Sequence, residues 1–457
     1  MGNPFIHPIL REVASVFRGQ GKKVYLVGGA VRDLFRHHKA QDWDLATDAL
    51  PEEIITMFRR VIPTGINHGT VTVHYKGHSL EITTFRTESA YTDGRHPDQV
   101  RYAATIEEDL SRRDFTMNAL AFALPQGPLV DPFGGKQDIK NRIIRSVGQG
   151  KERFREDGLR PLRAVRFAAQ LGFEVEPLTL AAIPGALGIT ARVAPERMRD
   201  ELDKIIASGE PSIAFLLMEK TGLLELLLPE LGRCRGILQK GFHRFDVLDH
   251  SLLACDYAAR KKAPPLVRLA SLFHDIGKPL TRKMDESGIW TFYHHERESA
   301  LLARNILTRL RYSHALIEGV VHLIAEHMFF YEETWSDAAV RRFIIRVGED
   351  KIRDLLELRK ADAYATAGIE PGGDFLVPFI NRIDEVLARG RAFTLKDMAV
   401  SGKDLQDIGV KPGPPMGIIL RELLETVIDD PELNNREKLL EIAKNINHRY
   451  TCSRPLE

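Results

Sequence analysis

The segment V-Y-L-V-G-G-A-V-R-D (24–33), followed about a dozen residues later by Q-D-W-D-L-A-T (41–47), decides how the first third of this chain is read. Val24 to Val27 is an apolar, strand-like run that stops at Gly28-Gly29, and Arg32-Asp33 fall one turn into a predicted helix. Glycines at a strand-to-helix turn let backbone N–H groups approach a phosphate, and the helix N-terminus favours negative charge there. Arg32 is suited to a bidentate phosphate contact. Asp42 and Asp44 are one residue apart on the next predicted strand, so alternation puts both carboxylates on one face, where they can share a divalent cation. Either half alone reads as an ordinary turn. Together they suit a metal-held nucleoside triphosphate.

The chain has 457 residues, enough for two to four domains, with 44% hydrophobic and 28% charged residues. It contains no run of about eighteen apolar residues, and M-G-N-P-F-I-H-P is not a charged-then-apolar leader, so neither a membrane span nor export is expected. Cys234, Cys255 and Cys452 form no metal spacing and no disulfide framework, which fits a reducing, cytoplasmic setting. The net charge of +1 gives little whole-molecule attraction for nucleic acid, so any RNA contact must come from local basic faces.

Residues 1–137 read as an α+β head. Its strands are expected in K-K-V-Y-L-V, W-D-L-A-T, H-G-T-V-T-V-H-Y, H-S-L-E-I-T-T-F and A-L-A-F-A-L, with helices after Gly29 and in P-E-E-I-I-T-M-F-R-R. A polar loop fills 86–100. D-P-F-G-G (131–135) is a candidate hinge, and beyond it helical periodicity dominates. Three all-α regions are expected: 138–235, 236–367 and 368–457.

Further motifs carry charge. Glu81 is a candidate third carboxylate from a neighbouring strand. S-R-R-D-F-T-M-N-A-L (111–120) places Arg112, Arg113 and Asp114 before an apolar segment. In F-R-E-D-G-L-R-P-L-R-A-V-R-F (154–167), Asp157 and Arg160 have i, i+3 spacing and would share a helix face. A carboxylate accepts from an exocyclic amino group and a guanidinium donates to ring acceptors, a pattern that fits cytosine and adenine and rejects guanine and uracil. The Arg160, Arg163, Arg166 series forms a candidate basic face for a phosphate backbone. Farther on, His250, His274-Asp275, His294-His295-Glu296, His327 and Asp362 form an ordered histidine–aspartate series suited to a divalent transition metal.

The first group of motifs resembles the class II nucleotidyltransferases, which comprise tRNA CCA-adding enzymes and bacterial poly(A) polymerases. L-V-G-G-A-V-R-D with D-W-D-L-A-T-D-A-L-P-E-E is similar to their active-site signature, R-R-D-F-T-M-N-A-L to their ribose- and phosphate-contacting element, and E-D-G-L-R to their base-templating E-D-x-x-R. The proline usual after E-D is here Gly158. P-E-R to E-L (195–202) is similar to a helix that braces the base-reading helix. The resemblance implies Mg²⁺ on Asp42 and Asp44, nucleotide contacts from Gly28, Gly29, Arg32, Arg113, Asp114, Asp157, Arg160, Arg163 and Arg166, and selection of ribonucleotides through Arg113 and Asp114. It implies two-metal addition of C, C and A to tRNA from CTP and ATP, without DNA or membrane partners; a homodimer stays open.

The histidine–aspartate series resembles the HD phosphohydrolases, whose domain several bacterial CCA-adding enzymes carry at this place. The resemblance implies a transition metal on His250, His274, Asp275 and Asp362, with His294, His295 and His327 on the phosphate side. A poly(A) polymerase, an A-only or CC-only enzyme, and an HD hydrolase with an inactive head are the competing readings. The complete 86–100 loop speaks against CC-only addition, and a degenerate HD domain kept for packing is the alternative to an active one.

Overall fold

The computed structural model describes residues 6–38, 43–89, 99–239, 244–370, 375–389 and 395–452. Asp42 and most of the 86–100 loop therefore lie outside the described residues. The chain divides into two compact units, one of residues 1–235 with 305–312 and the other of 236–304 with 313–457.

The first unit is built on a mixed sheet. Its strands and their hairpin are β1 (Val24–Val27), β2 (Asp44–Thr47), β3 (Val61–Gly65), β4 (Thr70–Tyr75), β5 (His78–Thr84), β6 (Arg86–Ser89), β7 (Gln99–Tyr102), β8 (Ala121–Ala123) and β9 (Leu129–Val130). Seven of them form one sheet in the order β3-β4-β5-β2-β1-β8-β9, while β6 and β7 pair separately. Each expected strand formed where the apolar alternation was strongest; β3, β6, β7 and β9 carried weaker patterns. Val24, Leu26 and Val27 of β1 and Leu45, Ala46 and Thr47 of β2 are buried, so these central strands are covered along most of their length. Helix α1 (Pro8–Gly19) buries Leu10, Val13 and Phe17, and α2 (Gly29–Phe35) starts directly after the glycine turn. Helix α3 (Pro51–Met57) stops earlier than its sequence pattern suggests, because Phe58 is extended and buried.

D-P-F-G-G forms a packed corner rather than a hinge. The Asp131 carboxylate accepts from the backbone of Gly135 and Lys136, and a Cβ on Gly135 would meet the Thr116 carbonyl at 2.0 Å. Backbone hydrogen bonds join Thr116 to Arg145 and Val147 to Asp114, and Val147 shares a core with Val27, Ala46 and Phe85. Head and neck are thus one body. The neck is helical apart from a two-residue parallel pair, Ile143–Ile144 with Glu174–Val175.

The second unit is mostly helical. Helices Val247–Arg260, Pro265–Phe273, His314–Glu326 and Glu349–Ala367 pack together, with a short antiparallel pair, Lys283–Met284 and Trp290–Thr291, on one connection. A separate core of Leu405, Ile419, Leu423, Leu439 and Ala443 holds the C-terminal helices. Among the described residues, no helix is long and apolar enough to cross a membrane.

Candidate functional site: a nucleotide cleft and a histidine–aspartate cluster

The first unit contains a cavity of about 1210 Å³, whose lining includes Gly28, Gly29, Arg32, Asp44, Glu81, Arg113, Asp157 and Arg163. Gly28 has φ +68°, a left-handed conformation that glycine adopts without strain, and it is the residue before α2. A Cβ there would meet the Arg113 Nη1 at 2.8 Å and lie 4.0 Å from Asp44 Oδ2. Glycine at this turn therefore lets an arginine and a carboxylate close over the same backbone. Arg32 donates to Asn118 Oδ1 at 2.9 Å and to Asp33 at 3.0 Å, which aims its guanidinium along the cleft.

Asp44 opens β2 and is exposed, and its register partner in parallel β5 is Glu81. Side chains at paired register positions lie on one sheet face, so the candidate third carboxylate sits beside Asp44. Partial burial and then the Asp44 charge raise the Glu81 pKa. Two acidic groups side by side in a cleft, unfavourable for both to ionise, form a donor set that a hard divalent cation fits. Whether Asp42 joins them lies outside the described residues.

The R-R-D motif follows helix α4 (Ile106–Ser111). Asp109, buried on that helix, accepts from Arg112 at 2.8 Å and from Arg113 at 3.4 Å. Burial alone would raise its pKa; the two guanidiniums reverse this and lower it. The motif reading missed Asp109, although its i, i+3 and i, i+4 spacing to the two arginines is visible in the sequence. Asp114 is also buried. Its Oδ1 accepts from Phe115 N at 2.8 Å and Asn118 Nδ2 at 3.0 Å, and its Oδ2 from Arg163 at 2.8 Å. Against the opposing effect of burial, Arg163 and these donors bring its pKa down to about 2.

The segment expected to read the base departs from the one-helix expectation. Helix α5 (Gly150–Glu156) ends before Asp157, which is extended at φ −140°, and α6 (Arg160–Leu171) begins after the turn. Asp157 and Arg160 still line one cavity but face different partners. Asp157 Oδ2 takes Arg197 Nη2 at 3.1 Å, whereas Arg160 reaches Glu156 at 2.6 Å and the Arg112 carbonyl at 2.9 Å. Gly158 is where the chain turns; a Cβ there would meet the Ile189 carbonyl oxygen at 2.7 Å, so the turn packs flat against a neighbouring backbone. That close approach gives glycine at this position a local reason.

The Arg160, Arg163, Arg166 series also differs from the expected basic face. Arg160 and Arg166 are buried, Arg163 is paired with Asp114, and Arg166 meets buried Glu201 at 2.5 Å. Burial lowers Arg166 to about 10 despite Glu201. These arginines line the cleft and join α6 to the helix Pro195–Ile206, leaving no outward stripe for a phosphate backbone. Arg197 and Glu201, both on that second helix, give it the bracing contacts expected from E-R-x-x-x-E-L.

In the second unit, His250, His274, Asp275, His295, His327 and Asp362 are buried together. His250 Nε2 is 3.1 Å from His274 Nε2 and from Asp362 Oδ1, and 3.4 Å from Asp275 Oδ2. His295 Nε2 is 3.2 Å from Asp275 Oδ1. His274, His295 and His327 rest their Nδ1 on the carbonyls of Ser271, Phe292 and Ile324, at 2.9, 2.8 and 2.7 Å. A carbonyl only accepts, so Nδ1 donates, and whenever such a ring is neutral its Nε2 lone pair faces the cluster. Burial, then the neighbouring His274 charge, lowers His327 to about 3, so that ring stays neutral. Asp275 and Asp362 are held well below the usual carboxylate range against burial, by His274 and Lys278 for the first and by His250 and His274 for the second. Imidazoles facing carboxylates with lone pairs inward suit a divalent transition metal.

His294 does not join them. Its φ of +63° turns it outward, and its side chain is 70% exposed. It rims a 460 Å³ cavity that also touches Lys278, His295, Trp290 and Tyr293. Gly277 explains how the H-D turn reaches His295: a Cβ there would meet Ser299 N at 2.5 Å and the His295 carbonyl at 2.7 Å. Only a bare backbone allows that approach.

Comparison with known proteins agrees with the first unit's geometry. Residues 24–145 match the "Poly A polymerase head domain" model, residues 172–234 the "Probable RNA and SrmB-binding site of polymerase A" model, and residues 283–443 a tRNA nucleotidyltransferase domain 2 model. A CCA-adding enzyme of Levilactobacillus brevis is 33% identical over 431 residues, covering 94% of this chain and 96% of that one. The structure of the Bacillus stearothermophilus CCA-adding enzyme in complex with CTP covers 98% of this chain and 100% of its own, with TM-score 0.74 and 28% identity. The Thermotoga maritima CCA-adding enzyme complexed with tRNA shares the fold at TM-score 0.57 and 20% identity, over 96% of each chain. By its cleft and by these similarities over nearly its whole length, the chain belongs to the CCA-adding enzymes, a family of tRNA nucleotidyltransferases.

Proposed function

We propose that the protein adds C, C and A to the 3′ end of tRNA from CTP and ATP in the cleft of its first unit. The observation that carries this is the placement of Asp44 opposite Glu81 beside Gly28, with Arg113 at the same turn. Mg²⁺ bound by Asp44 and Glu81, together with Asp42, would neutralise the triphosphate and activate the attacking hydroxyl. The tRNA 3′-oxygen bonds to the α-phosphorus, the bond from that phosphorus to the β-phosphate oxygen breaks, pyrophosphate leaves and the hydroxyl proton passes to water. Arg32 and Arg113 bind the phosphates, and the Gly28–Gly29 backbone lets them approach closely. Asp114, fixed by Arg163, faces the sugar. Asp157 accepts from the exocyclic amine of cytosine or adenine, with Arg197 holding the carboxylate in place and Arg160 bordering the same pocket. tRNA, ATP and CTP are the partners of this reading, in the cytoplasm and without DNA.

Incubation with tRNA lacking its 3′ end and one labelled nucleotide at a time tests it. Incorporation of C and A, with U and G rejected, is expected. Runs of A alone would make it a poly(A) polymerase, and only the last A or only two Cs would make it a partial enzyme.

For the second unit, the buried histidine–aspartate cluster favours a phosphohydrolase using a transition metal held by His250, His274, Asp275 and Asp362. Lys278, 2.5 Å from Asp275 and 2.6 Å from Gln239, stands where the cluster meets the 460 Å³ cavity and would bind a phosphate. Hydrolysis of a phosphate ester by the chain, lost in Asp275→Ala while nucleotide addition continues, is the expected result.

A further inference from the structure

We infer that a row of threonine hydroxyls on β3 and β4 receives the terminal ribose of the RNA being extended, with Thr72 contacting its 2′-hydroxyl and Arg86 its phosphodiester. This rests on the reading of the first unit as a tRNA nucleotidyltransferase and gives the RNA end a place and a means of being told from DNA.

Strand order sets the side chains in sequence across the cavity. The register aligns Thr72 of β4 with Glu81 of β5, and Glu81 with Asp44 of β2. Paired positions share a sheet face and neighbouring strands are about 4.8 Å apart, so Thr72 stands beside Glu81 and about twice as far from Asp44. Past Asp44 comes the Gly28 turn, over which Arg113 closes. The row thus reads hydroxyl, carboxylate, carboxylate, guanidinium. Thr70 shares the face of Thr72, two residues away. Thr64 Oγ1 is 2.9 Å from Thr72 Oγ1, and Thr70 Oγ1 is 3.0 Å from Thr83 Oγ1. Thr64, Thr70, Thr72 and Arg86 line the same cavity as Arg32 and Arg113.

Reaction geometry and charge allot the two ends of this row. In phosphoryl transfer the attacking and leaving oxygens lie roughly in line through the phosphorus. Pyrophosphate leaves on the side of Arg32 and Arg113, so the attacking 3′-oxygen arrives from the far side of Asp44 and Glu81, where the threonines are. A triphosphate carries several negative charges and fits the guanidinium end. The last nucleotide of an RNA brings only a neutral sugar and one phosphodiester, and the threonine end offers hydroxyls with one guanidinium. Arg86 is tied in place there: its Nη1 donates to the His68 carbonyl, and its backbone N–H donates to Asp109 Oδ1 at 3.3 Å. Its charge reaches Glu81, where it opposes the rise in pKa caused by burial and then by Asp44. Each threonine pair holds two hydroxyl protons and uses one between its oxygens, so each pair keeps one O–H to donate and lone pairs to accept. A ribose 2′-hydroxyl also donates and accepts, on the carbon next to the reacting 3′-oxygen. With that oxygen beside Glu81, the next hydroxyl in the row is that of Thr72.

The test measures single-turnover addition of labelled CTP by the full-length chain to tRNA lacking its 3′ end, with the last nucleotide carrying either ribose or 2′-deoxyribose. The parent chain and Thr72→Val give four rates. Either change alone is expected to slow addition roughly fivefold to tenfold, the scale of one neutral hydrogen bond, and the two together no further. Thr72→Ser should restore the preference for ribose, and the CTP concentration giving half the maximal rate should be the same throughout. A parent chain equally fast on both ends, or two losses that multiply, overturns the inference while nucleotide addition stands. A Thr72→Val loss that appears only as weaker CTP binding overturns it too, since Thr72 would then act on the nucleotide side. A parent chain that adds no nucleotide to the ribose-ended tRNA overturns the proposed function and this inference with it. Thermal melting shows whether each variant folds; Thr72→Ala replaces a Thr72→Val that does not, and if neither folds the parent's two rates decide.

Discussion

The nucleotide cleft and the histidine–aspartate cluster hold their proposed metal ligands in different ways. In the cleft, Asp44 is exposed at a strand end, and the arginines lining it are held by acidic residues behind them. In the cluster, every proposed ligand is buried and three imidazoles are fixed in orientation by backbone carbonyls. That site is preformed, so changes in its packing should affect metal binding directly, while changes in the cleft should affect catalysis first.

The largest effect separating the two sites is expected from Asp44→Ala. Loss of the carboxylate proposed to hold the catalytic cation should lower nucleotide addition by about a thousandfold or more, equivalent to at least ~4 kcal/mol of transition-state stabilisation. Phosphate-ester hydrolysis in the second unit should be unchanged. Single-turnover incorporation of labelled CTP, run beside a hydrolysis assay on the same preparation, checks both. Loss of hydrolysis alongside addition would mean that the two sites are not separate.

Gly277→Ala tests the preformed site at a point that carries no ligand. The added methyl would meet Ser299 N at 2.5 Å and the His295 carbonyl at 2.7 Å, both backbone atoms that cannot move aside cheaply. Overpacking of this kind costs about 1–3 kcal/mol, and it should pull His295 away from Asp275. We expect a lower melting temperature and roughly 10- to 100-fold weaker binding of the metal, with CTP and ATP addition kept. Unchanged metal affinity, measured by isothermal titration of Mn²⁺, would show that the close backbone contact does not position His295.

Much of the first unit was legible because its signals are local. Strand alternation and the glycine turn each depend on neighbours within a few residues, while the Asp42–Asp44 pairing falls partly outside the described residues. The partner of Asp44 was harder, since a period of two gives the face of β5 but not its register; Glu81 is beside Asp44 only because β2 and β5 run parallel in that register. Asp157 and Arg160 were misplaced onto one helix because i, i+3 spacing assumes an unbroken helix, and the chain turns at Gly158. The arginine series was read as outward because three positive charges usually seek water; here Asp114, Glu156 and Glu201 satisfy them inside. In the second unit, the order of histidines was visible, yet His294 and His295 could not be told apart in the sequence. One positive φ turns the first outward and leaves the second inside.

The smallest predicted effect concerns Asp114, whose ion pair with Arg163 lines the cleft. Its carboxyl titrates at about 2 in the folded chain, against an ordinary value of 3.8. A depressed folded-state value means that the stabilisation is fully present above about pH 4 and is lost as pH falls through about 2. The difference corresponds to about 2 kcal/mol. In Asp114→Asn the residue carries no charge at any pH, so its stability deficit relative to the parent should be largest near pH 5 and shrink by about that amount on the way to pH 2. Trp43 is the first unit's only tryptophan, so denaturant unfolding followed by its fluorescence in a Trp290→Phe, Trp335→Phe background reports on this unit alone. A deficit that stays constant with pH would mean that Asp114 contributes through its hydrogen bonds to Phe115 and Asn118 rather than through its charge. Arg163 would then be held chiefly by its place beside Phe167, at 5.5 Å over the ring, and this part of the cleft would be fixed by packing rather than by charge.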